Sequence, residues 1–150
     1  MDEKALNKLR RYCAYQERCH EEVRSKLLEL KVYGDDLEEI ISHLVAENFL
    51  NEERFAKAFA GGKFRVKQWG RIKIKNELKY RKISAYCIQK GMEEISDEDY
   101  LDALNHLFLK AKSNYAKGTP AQRHYKIRQF LIRKGYEPDL VTEIMRKHKV

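Results

Sequence analysis

RIKIKNELKY, residues 71–80, places Ile74 and Leu78 four positions apart with the basic Lys75 directly after the first of them. The same arrangement stands twice more: EVRSKLLEL (22–30) sets Val23 and Leu27 around Arg24, and YKIRQFLIRKG (125–135) sets Ile127 and Leu131 around Arg128. The anchors recur at intervals of 51 and 53 residues, so a unit of about fifty residues accounts for all 150. Residues four apart lie on one helical face, and each stretch therefore carries an apolar stripe that only neighbouring helices can bury.

Each recurrence is followed by a second matching pair, Ile40 with Leu44, Ile88 with Met92 and Val141 with Met145, and preceded by a third amphipathic stretch. The unit is three helices, and stacking such units buries more apolar surface than one alone. The expected fold is all-α: an elongated, curved array of three tandem three-helix units at about 3–50, 51–95 and 96–150. Caps sharpen the map. Asn51 before Glu52 and Glu53, Ser96 with Asp99, and Thr119 with Gln122 read as helix starts, and Pro120 and Pro138 stand at first helical positions, where a missing N–H costs nothing. The predicted helices are 3–16, 20–31, 36–48, 52–66, 70–81, 84–94, 97–115, 120–134 and 138–148. Gly61 and Gly62 are expected to weaken the fourth, and SNYAKGTP (113–120) is an insertion between the first two helices of the third unit.

Composition excludes several other classes. The chain is 43% apolar and 36% charged, with only seven glycines and two prolines, and shows no strand pattern. No run approaches the roughly eighteen apolar residues of a membrane helix, and MDEKALNKLRRY (1–12) is charged and amphipathic, unlike a secretory signal. A cytoplasmic location is expected. Cys13, Cys19 and Cys87 are odd in number and form no C-x-x-C pair, so they read as reduced, packed thiols.

Charge is concentrated. Between Gly61 and Ile83 stand Lys63, Arg65, Lys67, Arg71, Lys73, Lys75, Lys79, Arg81 and Lys82 against the single acid Glu77, which equals the whole net excess of +8. Arg71, Lys75 and Lys79 follow one side of a helix, with Lys82 near its end, beside the buried Ile74 and Leu78 face. Arg24, Lys75 and Arg128 occupy equivalent positions, as do His20, Arg71 and His124, so a regular stack would align them into a basic track suited to a polyanion. Trp69, Phe55 and Phe59 read as packing residues and Tyr80 as an exposed one.

Catalytic patterns are lacking. The five histidines have no partner at metal-ligand spacing, HEEVR (20–24) lacks the second histidine of a zinc motif, and no phosphate loop or nucleophile elbow occurs. The acid clusters DDLEE (35–39) and EEISDED (93–99) mostly begin helices, where the dipole explains them. Neither enzymatic activity nor a cofactor is expected.

HLVAENFLNEERFAKAF (43–59) followed by WGRIKIKNELKYRKIS (69–84) resembles the signature of the RecX family of bacterial regulatory proteins, through Leu50, Phe55, Ala56, Gly70, Ile74, Glu77, Leu78, Lys82 and Ile83. EVRSKL (22–27) and IRQFLIRKGYEPDLV (127–141) extend the likeness to roughly residues 5–148. Cys19 stands where the family commonly has serine, and Asn51 and Glu52 replace an acidic pair. The resemblance implies a modulator of the RecA recombinase that binds its filament on single-stranded DNA, directly touching the DNA or not, and inhibits recombination and SOS-related activity; separately, no large exposed apolar stripe demands a dimer, so a monomer is expected. The competing class is a stand-alone basic helical DNA- or RNA-binding protein. Against it, the stripe is nearly all Lys and Arg, without the Asn, Gln and Ser expected for base readout.

Overall fold

The computed structural model describes residues 1–149. Among these there are nine helices and no strand: α1 (Glu3–Tyr15), α2 (His20–Glu29), α3 (Gly34–Ala46), α4 (Glu52–Lys67), α5 (Arg71–Tyr80), α6 (Ala85–Met92), α7 (Asp97–Asn114), α8 (Pro120–Lys134) and α9 (Pro138–Lys147). Every sequence-derived helix is present, with ends shifted by two residues or fewer. α4 runs unbroken through Gly61 and Gly62. Packing supplies most helical stability in proteins, and both Ala60 and Gly61 are buried.

The repeat is exact at the level of burial. Val23, Leu27, Ile74, Leu78, Ile127 and Leu131 are all fully buried, and the second pairs are buried as well. It is also repeated in the backbone. The chain leaves α2, α5 and α8 through a left-handed residue, Lys31 (φ 63°), Lys82 (φ 59°) and Gly135 (φ 103°). In each case the next N–H donates to the carbonyl of the leucine anchor: Val32 to Leu27 (2.9 Å), Ile83 to Leu78 (3.1 Å) and Tyr136 to Leu131 (3.3 Å). This closes the helix end with the six-to-one bond of a Schellman turn and tucks an apolar residue behind it.

Two compact bodies are formed, residues 1–59 with 78–91 and residues 60–77 with 92–150, so the boundary passes through α4 and α5. In the first body α1, α2 and α3 pack mutually around Leu6, Leu9, Val23, Leu27, Ile40 and Leu44. Asp2 caps α1 by accepting from the Ala5 N–H at 3.0 Å, and Asn51 caps α4 by accepting from the Arg54 N–H at 2.9 Å. The Cys19 N–H donates to Glu22 Oε1 at 3.0 Å, so the turn before α2 is held although a thiol replaces the hydroxyl. Cys13, Cys19 and Cys87 are buried free thiols.

In the second body α8 packs against α7 and α9. Thr119 and Gln122 form the full reciprocal capping box before α8, while Ser96 accepts from the Asp99 N–H. The start of α5 has no side-chain cap of its own. Its first three N–H groups are taken up by the third repeat: Gly70 donates to the Lys134 carbonyl (2.7 Å), Arg71 to the Tyr100 hydroxyl (2.9 Å) and Ile72 to the Gly135 carbonyl (3.0 Å). The carbonyl end of α8 thus meets the N–H end of α5, which satisfies orphan groups of both and aligns their dipoles favourably. Such approach demands glycine, because a Cβ on Gly70 would lie 2.3 Å from the Gly135 carbonyl.

Candidate polyanion-binding surface

The eleven basic residues singled out by sequence divide into two kinds. Some are engaged within the fold. Arg71 is only 22% exposed, pairs with Asp97 at 2.5 Å and with Glu137 at 3.7 Å, and lies 3.9 Å over the Tyr100 ring. Arg24 makes a two-pronged contact with Glu38 at 2.5 and 3.1 Å. That hydrogen bond raises the arginine's pKa above its ordinary value and holds the Glu38 carboxyl below the usual range. Arg128, fourteen residues before its own partner like Arg24, donates to Thr142 Oγ1 at 2.8 Å. The equivalence of these positions therefore reflects tethering of the second helix of a repeat to the third, and the stripe available on α5 narrows to Lys75 and Lys79, both exposed, with Lys82 beyond its end.

In the first body, Lys82 is 75% exposed and 3.8 Å from Glu21, and the Arg81 guanidinium sits 4.7 Å over the Phe59 ring. Both border a cleft of about 510 Å³ that also takes in Tyr12, Glu21, Lys26 and Tyr80. Tyr80 is 81% exposed, as its sequence position suggested.

In the second body a group of lysines gathers about Trp69. Lys63 Nζ is 5.0 Å and Lys73 Nζ 4.5 Å from the ring, which is half-buried. Lys134, at the end of α8, donates from Nζ to the Lys67 carbonyl at 3.1 Å. Burial first, then the like charges of Lys73, Lys110 and Lys67, lower the Lys134 pKa below the ordinary lysine value. Arg65 is exposed, and its guanidinium fills the space that a Cβ on Gly61 would need. The second body carries 17 basic and 10 acidic side chains and the first 14 and 13, so +7 of the net +8 falls on the second. No group of three or more metal-type ligands occurs among the described residues, and no helix there is long and apolar enough to cross a membrane.

Two family models match in tandem: RecX, second three-helix domain, over residues 51–92, and RecX, third three-helix domain, over 97–145. The chain belongs to the RecX family. Similar curated proteins include the regulatory protein RecX of Bacillus cytotoxicus, 28% identical over 130 residues that cover 87% of this chain and 48% of the relative. The regulatory protein RecX of Bacillus anthracis is 26% identical over the same shares. The chain thus spans about half the length of these relatives. The crystal structure of RecX from Lactobacillus salivarius superposes with a TM-score of 0.83 at 24% identity, covering 97% of this chain and 94% of that one. A second RecX crystal structure gives a TM-score of 0.85 at 22% identity and covers 96% and 70%. At these identities the likeness establishes the fold.

Within this RecX-family chain, sequence reasoning missed Lys110 and Lys134, which join Lys67 and Lys73 only through tertiary packing. It also missed the group that fixes Arg71: the buried Tyr100 hydroxyl donates to Glu137 in a short hydrogen bond while accepting from the Arg71 N–H. Burial and this hydrogen bond push the Tyr100 phenol far above its ordinary range. A buried tyrosine needs such partners, but only the fold reveals which.

Proposed function

We propose that this chain is a non-enzymatic regulator that binds the RecA recombinase filament on single-stranded DNA and inhibits recombination and SOS-related activity. The observation that carries the reading is the tandem of RecX three-helix domains over residues 51–145. The exposed Lys75, Lys79 and Lys82 supply its physical contact, because lysine heads in water attract an acidic protein surface or DNA phosphate without dictating base sequence. Attraction of this kind weakens with salt.

The test is filament binding measured with RecA, nucleotide and a labelled single strand, comparing the parent with the Lys75→Glu, Lys79→Glu, Lys82→Glu triple variant. The proposal predicts that the triple variant loses most filament affinity and most of its salt dependence. Equal binding by the two proteins contradicts the assigned contact; no binding by the parent contradicts the function itself.

A further inference from the structure

In the second body two lysines lie near one aromatic ring, Lys63 and Lys73 at Trp69, and like charges from four helices or their ends meet at Lys134. Lys67 ends α4, Lys73 lies in the first turn of α5, Lys110 is on α7 and Lys134 ends α8. Lys134 Nζ is fixed 3.1 Å from the Lys67 carbonyl, and the Lys73 Cβ would be only 2.4 Å from a Cβ placed on Gly135, so these two lysines are held side by side by backbone packing. By contrast, Arg24 and Arg71 each have a carboxylate partner, Glu38 and Asp97. Lysines brought together by a rigid packing contact raise the local positive potential, which an added anion relieves.

We propose that Trp69, the lysines at its ring, Lys63 and Lys73, and the lysines grouped at Lys134, Lys67 and Lys110 with it, form a single-stranded nucleic-acid clamp that grips phosphodiester oxygens and stacks one unpaired base on the indole. Lys63 and Lys73 both approach the Trp69 ring, and Trp69 is only half-buried. A base laid on the ring takes over the contact that the ammonium groups make with it, and those groups move to the flanking phosphates. Stacking of this kind accepts any base, and the surrounding charge tracks the backbone. A duplex offers the same phosphates but no free base face, so the clamp favours single strands. Acidic protein surface is the rival occupant, and it has no flat ring to stack. This inference rests on the polyanion contact in the filament reading but does not require the recombinase to be present.

Trp69 is the only tryptophan in the chain, so its fluorescence reports the site directly. The intact chain, without RecA, is titrated with a thymidine oligonucleotide, an abasic strand of equal length, a duplex and polyglutamate at two salt concentrations. The clamp predicts quenching by the thymidine strand, binding of the abasic strand without quenching and with about tenfold lower affinity, and weaker binding of the duplex. The Lys110→Gln, Lys134→Gln pair should weaken single-strand binding about tenfold and flatten its salt dependence by about one to two contacts. The charge-matched pair Lys117→Gln, Lys126→Gln should leave it unchanged. Equal quenching by polyglutamate and the thymidine strand, equal binding of the thymidine and abasic strands, or no single-strand binding overturns the clamp. If Lys134→Gln proves unfolded by circular dichroism, the strand comparison on the parent and the Lys110→Gln variant decide. Filament binding that survives while these DNA signals are absent refutes the clamp alone, not the regulator.

Discussion

Single residues carry the closest tolerances in this molecule. Gly70 allows α5 to begin against the Gly135 carbonyl, where a Cβ would stand 2.3 Å away. Gly70→Ala therefore forces two backbones apart and should cost about 1–3 kcal/mol or more in urea unfolding. Tyr100→Phe removes the hydroxyl that both accepts from the Arg71 N–H and donates to Glu137, leaving groups unsatisfied in the second body. The expected loss is about 1–3 kcal/mol, and a variant as stable as the parent would show that water replaces the hydroxyl. Titration provides a third check. Burial pushes the Cys13 thiol up to about 11, so the folded state holds this proton after the unfolded chain releases it. That contribution to stability is complete below the unfolded thiol value of about 8.5 and declines as pH rises from there to about 11. Cys19 and Tyr12 are shifted the same way by burial. Urea midpoints at pH 8 and pH 10 should thus differ, and Cys13→Ala should reduce the difference.

At the scale of elements, the three-fold Schellman turn is the clearest sign of repetition, and it was hidden in the sequence. Only the third copy uses glycine; Lys31 and Lys82 adopt the same left-handed conformation with a side chain, which disfavours it by roughly 1 kcal/mol. Lys31→Gly should raise stability by up to about that amount, and a thermal melt that falls instead would show that the lysine side chain is needed there. The helices themselves were legible, since the four-residue spacing of Val23 and Leu27, Ile74 and Leu78, and Ile127 and Leu131 is a direct record of buried faces. What was not legible depended on distant partners. The cap of α5 comes from residues 100, 134 and 135, and nothing near Gly70 announces it. Arg24, Arg71 and Arg128 look like Lys75 in a charge count, yet the fold sets Glu38, Asp97 and Thr142 beside them. Lys110 and Lys134 were passed over for the opposite reason, being ordinary surface lysines until α7 and α8 bring them to Lys73.

At the scale of the whole molecule, charge is divided unequally: the first body is nearly balanced, and the second holds +7 of the net +8. A net charge of this kind speeds encounter with a polyanion and makes it salt-sensitive, without saying which polyanion is meant. The proposed function names one, a recombinase filament in which protein and single-stranded DNA are both present. The direct measurement is binding of the intact chain to a labelled single strand with and without RecA and nucleotide, at low and high salt. The account predicts binding that is much tighter with RecA than on the bare strand, weakens as salt rises, and is lost when Lys75, Lys79 and Lys82 are reversed to glutamate. Binding of equal strength with and without RecA, or unchanged by that reversal, would contradict it.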